Sequence, residues 1–223
     1  MDASVKQSML AALRQFAVVS KNDSKPFYES LVQIFSSKQD YLKKVADMDR
    51  QFDENSEYES LRELFFDLLL INFFNEDARK LEEDYLDSPE WEAIEEKTLD
   101  RGTELLNVML YLKECEDEDI EPDLEDFLKE FLLVDEDEFQ DEYRIYEDVI
   151  ANQILVDSDL KEVARVASDL PAGSEMKELF YPIIGFFRDQ HPDNEEFDEF
   201  VKHSTNPEFD SAVYALLISY NQR

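Results

Sequence analysis

The chain has 223 residues, with 56 Asp and Glu against 22 Lys and Arg, for a formal charge of −34. One Cys rules out an internal disulfide and the cystine-stapled secreted scaffolds. Three Gly are too few for glycine-rich phosphate loops or a turn-dense β-sandwich, and two His leave little for His-rich metal or catalytic centres.

Helical periodicity dominates throughout. Met9, Leu13 and Phe16 mark a first helix. Phe27, Leu31, Ile34 and Phe35 mark a second, with Ser24 as N-cap and Pro26 in the first turn, where its missing N–H is harmless. Tyr41, Val45, Met48 and Phe52 mark a third, expected to open at Ser37 with Asp40 three residues on. Ser56 and Glu59 read as a capping box. It precedes the most apolar helix, where Leu61, Leu64, Phe65 and Leu68 form one stripe and Phe66, Leu69, Leu70 and Phe73 another. Two stripes predict burial on most sides and a central place in the fold.

Ser88 and Pro89 open the next helix, expected to run to about residue 114 and to carry Trp91, Ile94, Leu105, Met109 and Leu112. Pro122 is expected to open another, with Leu124, Phe127, Leu128, Phe131 and Leu132. Phe139, Tyr143, Tyr146, Ile150 and Ile154, three or four residues apart, predict a helix after it. Leu160, Val163, Ala167 and Leu170 give a shorter one, ended by Pro171 and Gly173. Met176, Leu179, Phe180, Ile183 and Phe187 give the next, with a kink expected at Pro182 and Gly185. Such a kink ordinarily curves a helix over a core; the alternative is a groove among Phe180, Phe186 and Phe187. Asp193 and Glu196 form a capping box for Phe197, Phe200 and Val201. Asn206 and Pro207 open the last helix, with Phe209, Val213, Leu216, Leu217 and Tyr220.

The reading is all-α: an irregular bundle of about 10–11 antiparallel helices over residues 1–223, joined by short connections. Helix starts near 56, 88, 122 and 157 allow an α-solenoid-like stack of hairpins as the alternative. The polar stretch 114–121 is the one place for a subdivision, and a loop within a single domain is the preferred reading. Seventeen Phe and ten Tyr supply the core, since each buried ring removes about 150–250 Å² from water.

The charge is uneven. Residues 1–50 hold 6 acids and 8 bases, whereas 114–148 hold 18 acids and 2 bases. Such a surface repels nucleic acid and anionic membrane and attracts basic proteins. The expectation is a cytoplasmic, non-enzymatic interaction module of the adaptor or inhibitor type. It would dock a basic protein through Glu116, Asp117, Glu118, Asp119, Asp135, Glu136, Asp137 and Glu138. The first alternative is a nucleic-acid mimic or immunity-type inhibitor of a DNA- or RNA-binding protein. The second is a metal-dependent enzyme using carboxylates.

No motif supports catalysis, and no cofactor or metal is expected. Asp117, Asp119 and Glu121 resemble the start of a calcium loop, but Pro122 stands where the glycine belongs and Leu128 where the closing Glu belongs. Neither His191 nor His203 has a Glu three residues before it, so the di-iron pattern fails. Cys115 lies between Glu114 and Glu116, which disfavours its thiolate. No segment reads as a signal peptide or a membrane span.

Overall fold

The structure, a computed structural model, describes residues 1–81, 83–99, 101–102, 104–131, 133–135, 138–139 and 145–222. The fold is all-α, with thirteen α-helices among the described residues.

Helix α1 (Ala3–Ser20) starts where the Asp2 carboxylate accepts from the Ser4 and Val5 N–H groups, at 2.9 and 3.2 Å. Helix α2 (Lys25–Ser36) has Ser24 at its N-cap, but that hydroxyl makes no capping bond. Asp23 instead accepts from the Lys25 N–H. Helix α3 (Tyr41–Glu54) opens at Asp40, which accepts from the Lys43 N–H at 2.9 Å. Ser37, the expected opener, closes α2 instead.

The expected capping box at Ser56 does not form. A 3₁₀ turn (Ser56–Leu61) comes first and buries Tyr58 and Leu61 before α4 (Arg62–Asn75) begins. The Tyr58 ring stacks on Phe27, centroids 4.4 Å apart, so tertiary packing decides the local geometry. Every residue of α4 from Leu64 to Asn72 is buried, as the double stripe predicts.

A second 3₁₀ turn (Ala78–Leu81), α5 (Glu83–Leu86) and α6 (Pro89–Thr98) follow, with Ser88 capping the Trp91 N–H. The single helix expected from 89 to 114 is broken. Arg101 is drawn away to Asp49 and Glu63. A new helix, α7 (Glu104–Glu118), then starts with its Leu105 N–H bonded to buried Asp67.

Asp123, not Pro122, caps α8 (Leu124–Asp126), which passes into a π-helical turn (Phe127–Phe131). The helix expected from Phe139 does not begin at that residue, which lies in a strand. Strand β1 (Leu133–Asp135) pairs antiparallel with β2 (Glu138–Phe139), Leu133 opposite Phe139 and Asp135 opposite Glu138. Acids at 135–138 would set like charges one turn apart on a helix. Tyr143 lies outside the described residues. Tyr146 is the N-cap of α9 (Glu147–Ala151), and Ile154 falls in a 3₁₀ turn (Gln153–Asp157) with its side chain exposed.

Helix α10 (Leu160–Asp169) is capped by Asp159 and stops before Pro171. The next helix begins late, as α11 (Phe180–Arg188). Pro182 is therefore its third residue, where an N–H would lack an intrahelical acceptor, and no kink is required. Phe180, Phe186 and Phe187 are all buried, and Phe200 fills the space above Gly185, so the alternative groove is closed by packing. Helix α12 (Asn194–His203) has the expected capping box at Asp193 and Glu196. Helix α13 (Pro207–Tyr220) completes the chain.

Helix α1 packs along α13; α4 touches α1, α3 and α7; α11 touches α9, α10 and α13. One hydrophobic cluster runs from Val5 to Tyr220. Cys115 is buried within it, which removes the thiol from solvent.

Candidate functional site

Two acidic features stand out, at opposite ends of α7. The first is a ridge at its C-terminus. Glu116, Asp117, Glu118 and Asp119 are all exposed. Lys113 reaches two of them, Glu116 at 2.8 Å and Asp117 at 2.9 Å. Asp119 sits in the left-handed region, φ 58°. It ends the helix with the Ile120 N–H bonded back to the Cys115 carbonyl, a place usually taken by glycine.

Acids at a helix C-terminus oppose the macrodipole. Acids stand favourably in the first turns of α6 and α12, while α3 and α10, like α7, end in acids, Asp53 and Glu54 in one and Asp169 in the other. The last turn of α7 carries no base. Glu118→Lys is therefore expected to raise stability by about 0.5 kcal/mol in urea unfolding at low salt. A fall in stability would show that Glu118 is held by favourable contacts that outweigh the helix dipole.

Asp135 and Glu138 lie opposite one another in the β1–β2 ribbon. Glu136 and Asp137 lie outside the described residues. Four of the eight expected positions thus share one helix end, and two share the ribbon.

The second feature was not anticipated. A cleft of about 520 Å³ opens between α4, the start of α7 and the segment 172–179. Carboxylates line it: Glu59, Glu63, Asp67, Glu104, Glu175 and Glu178. The bases on its wall are already engaged, Arg62 partly with the cleft's own Glu59. Arg62 binds Asp53 at 2.6 Å and Glu59 at 2.7 Å, and the Lys177 ammonium donates to the Leu170 carbonyl. Arg101, behind the rim, takes Asp49 at 2.5 Å and Glu63 at 2.8 Å.

Asp67 is 2% exposed. One carboxylate oxygen, Oδ2, accepts from the Leu105 N–H at 3.0 Å; the other, Oδ1, has no hydrogen-bond partner. Burial, then the nearby Glu104, pushes its carboxyl well above the usual range. Burial also raises Glu104, with Glu175, Glu63 and Glu178 adding repulsion. The sequence does carry a signal for this site. An Asp in the middle of a helix buried on all sides cannot reach water.

Among the described residues, no three His, Cys, Asp or Glu side chains converge where they could hold a metal ion. His203 meets Glu199 at 3.4 Å on the surface of α12. No helix among the described residues is long and apolar enough to cross a membrane. No family model matches the sequence, and no curated protein or solved structure is significantly similar to it.

Proposed function

We propose that the chain is a non-enzymatic acidic interaction module that docks a basic protein through the 114–148 region. The observation that carries the proposal is the ridge at the end of α7, where four consecutive exposed acids stand against the helix dipole with one neighbouring lysine. Acids placed to stabilise a helix sit at its N-terminus. Lys113 answers part of the charge at Glu116 and Asp117; the remaining negative charge at 116–119 opposes the helix that carries it, and we place its benefit outside the fold. Repulsion within one chain becomes attraction when a cationic surface approaches. The gain falls mainly on association rate and partner choice, while apolar anchors supply most of the affinity.

The test is kinetic, on a basic protein that the immobilised chain retains. Changing Asp135, Glu136, Asp137 and Glu138 to Lys is expected to slow association about tenfold or more at low salt, with little change in dissociation. An unchanged association rate overturns the role given to this region. If the retained protein normally binds nucleic acid, and DNA competes with the chain for it, the docking is mimicry of a phosphate backbone.

A further inference from the structure

The Asp67 cleft is built differently from the ridge. A buried carboxyl group with one unanswered oxygen is costly in either protonation state. Ionised, its charge lacks a partner; protonated, its O–H lacks an acceptor. The bond from the Leu105 N–H to Oδ2 fixes the carboxyl group in one orientation, leaving Oδ1 unpartnered in a residue of the cleft wall. Glu104 folds over Gly102 at the same mouth, so that a side chain at 102 would collide with its carboxylate. Glu104, Glu175 and Glu178 form no ion pair among the described residues. Between these acids the wall is apolar: Leu64, Leu105, Leu179 and Phe209.

We propose that this cleft binds an aliphatic cation, an ammonium or guanidinium head on a methylene stem. The head pairs with the Asp67 carboxyl group, Glu104 beside it, and its entry uncovers Oδ1, which is closed to solvent in the empty cleft. The stem lies along Leu64, Leu105, Leu179 and Phe209. Glu175 and Glu178 face the outer part, where a second amine or the solvent end of the ligand sits. The volume, about 520 Å³, is in the range of small-ligand clefts. A bare metal ion fits less well, because the carboxylates surround the cleft without converging. A stem with a charged end can span them.

Binding moves a proton. The groups facing Asp67 are Glu63 on its own helix, Glu104 and the Leu105 and Leu106 N–H groups from α7, with Tyr41 within electrostatic reach. Burial, with Glu104 and Glu63 adding repulsion, favours the protonated form of Asp67 in the empty cleft. When the cation enters, the Asp67 O–H bond breaks, the electron pair stays on the carboxylate, and the proton passes to solvent.

The experiment is calorimetric titration of the full chain with spermidine, with agmatine and with a Gly-Arg-Gly peptide. It is run at about 0.3 M salt to screen the surface charge, in two buffers of different ionisation enthalpy. The wild type is expected to bind at one site and release a proton. Asp67→Asn keeps the acceptor for Leu105 and removes the charge; it is expected to bind at least tenfold more weakly and release none. Glu104→Gln, at a half-exposed position, provides a second variant should Asp67→Asn fold poorly, with an expected loss of threefold or more. The triple change Glu116→Gln, Asp117→Asn and Glu118→Gln on the ridge is expected to leave binding unchanged. Binding of the free amines points to a small-molecule ligand. Binding of the peptide alone points to a basic side chain of a partner. Both support the site. No binding by any probe overturns the proposal. So does binding by Asp67→Asn equal to wild type, or an equal loss on changing the ridge. Either result leaves docking through 114–148 to be judged separately.

Discussion

Lowering the pH from 7 to 5 is expected to stabilise this fold, the reverse of ordinary acid denaturation. Asp210 is 3% exposed on α13, and burial pushes its carboxyl up to about 6, only partly offset by the Ser204 hydroxyl that donates to it at 2.5 Å. In the unfolded chain the group titrates near 3.8. Between those values the folded state holds a proton that the unfolded state has lost. Stability therefore falls as pH rises through this window and levels off above it. A two-unit difference corresponds to roughly 3 kcal/mol in full, of which about 1 kcal/mol separates pH 5 from pH 7. Asp67, raised in the same direction, adds to the effect, and so does relief of repulsion in a chain carrying −34. Carboxyls depressed by partners act oppositely, but at lower pH; Asp77 beside Arg79 titrates near 2. Urea unfolding across pH 4.5–8 checks the direction. Asp210→Asn, which mimics the protonated acid and still accepts from Ser204, is expected to gain about 1–3 kcal/mol at pH 7 and nearly nothing at pH 4. A variant less stable than wild type at pH 7 would mean that the ionised carboxylate is being held by a partner.

Gly185→Ala is expected to cost about 2–3 kcal/mol, the overpacking penalty of a close-packed core. A methyl group there would lie 2.6 Å from Phe200 Cε2 and 3.1 Å from Cδ2. The Phe200 ring cannot swing aside. It is 1% exposed and stacked between Tyr181 and Tyr214, with centroids 4.6 and 4.1 Å away. The Tyr181 hydroxyl also donates to the Phe200 carbonyl at 2.8 Å, tying α11 to α12. Adding Phe200→Leu to Gly185→Ala should recover part of the loss, so that the double variant is more stable than the two single losses sum to. Gly185→Ala at wild-type stability would contradict this packing.

Helices whose burial and caps agree were readable from the sequence. The double stripe of α4 and the capping box of α12 are examples. The misreadings share a cause: a long-range contact overrode a local signal. Arg101 leaves the helical path for Asp49 and Glu63, and Asp67 supplies a new start at Leu105, splitting one expected helix into α6 and α7. Tyr58 packs on Phe27 and turns the Ser56 signal into a 3₁₀ entry. Pro182 looked like a kink because the helix was expected to begin at Met176; the observed start at Phe180 makes the proline harmless. The ridge was legible as a run of acids. The cleft was not, because its carboxylates come from 59–67, 104 and 175–178, which only the fold brings together.

Docking of a basic protein by the 114–148 region is the proposal with the widest consequences. It is tested most directly by capture from the native host's lysate on two immobilised baits, washed across a salt series. One bait is the wild-type chain; the other carries neutral residues at 116–119 and 135–138. A basic protein is expected on the wild type at low salt, released as salt rises, and absent from the neutralised bait. Equal retention on both baits, or retention indifferent to salt, would contradict it.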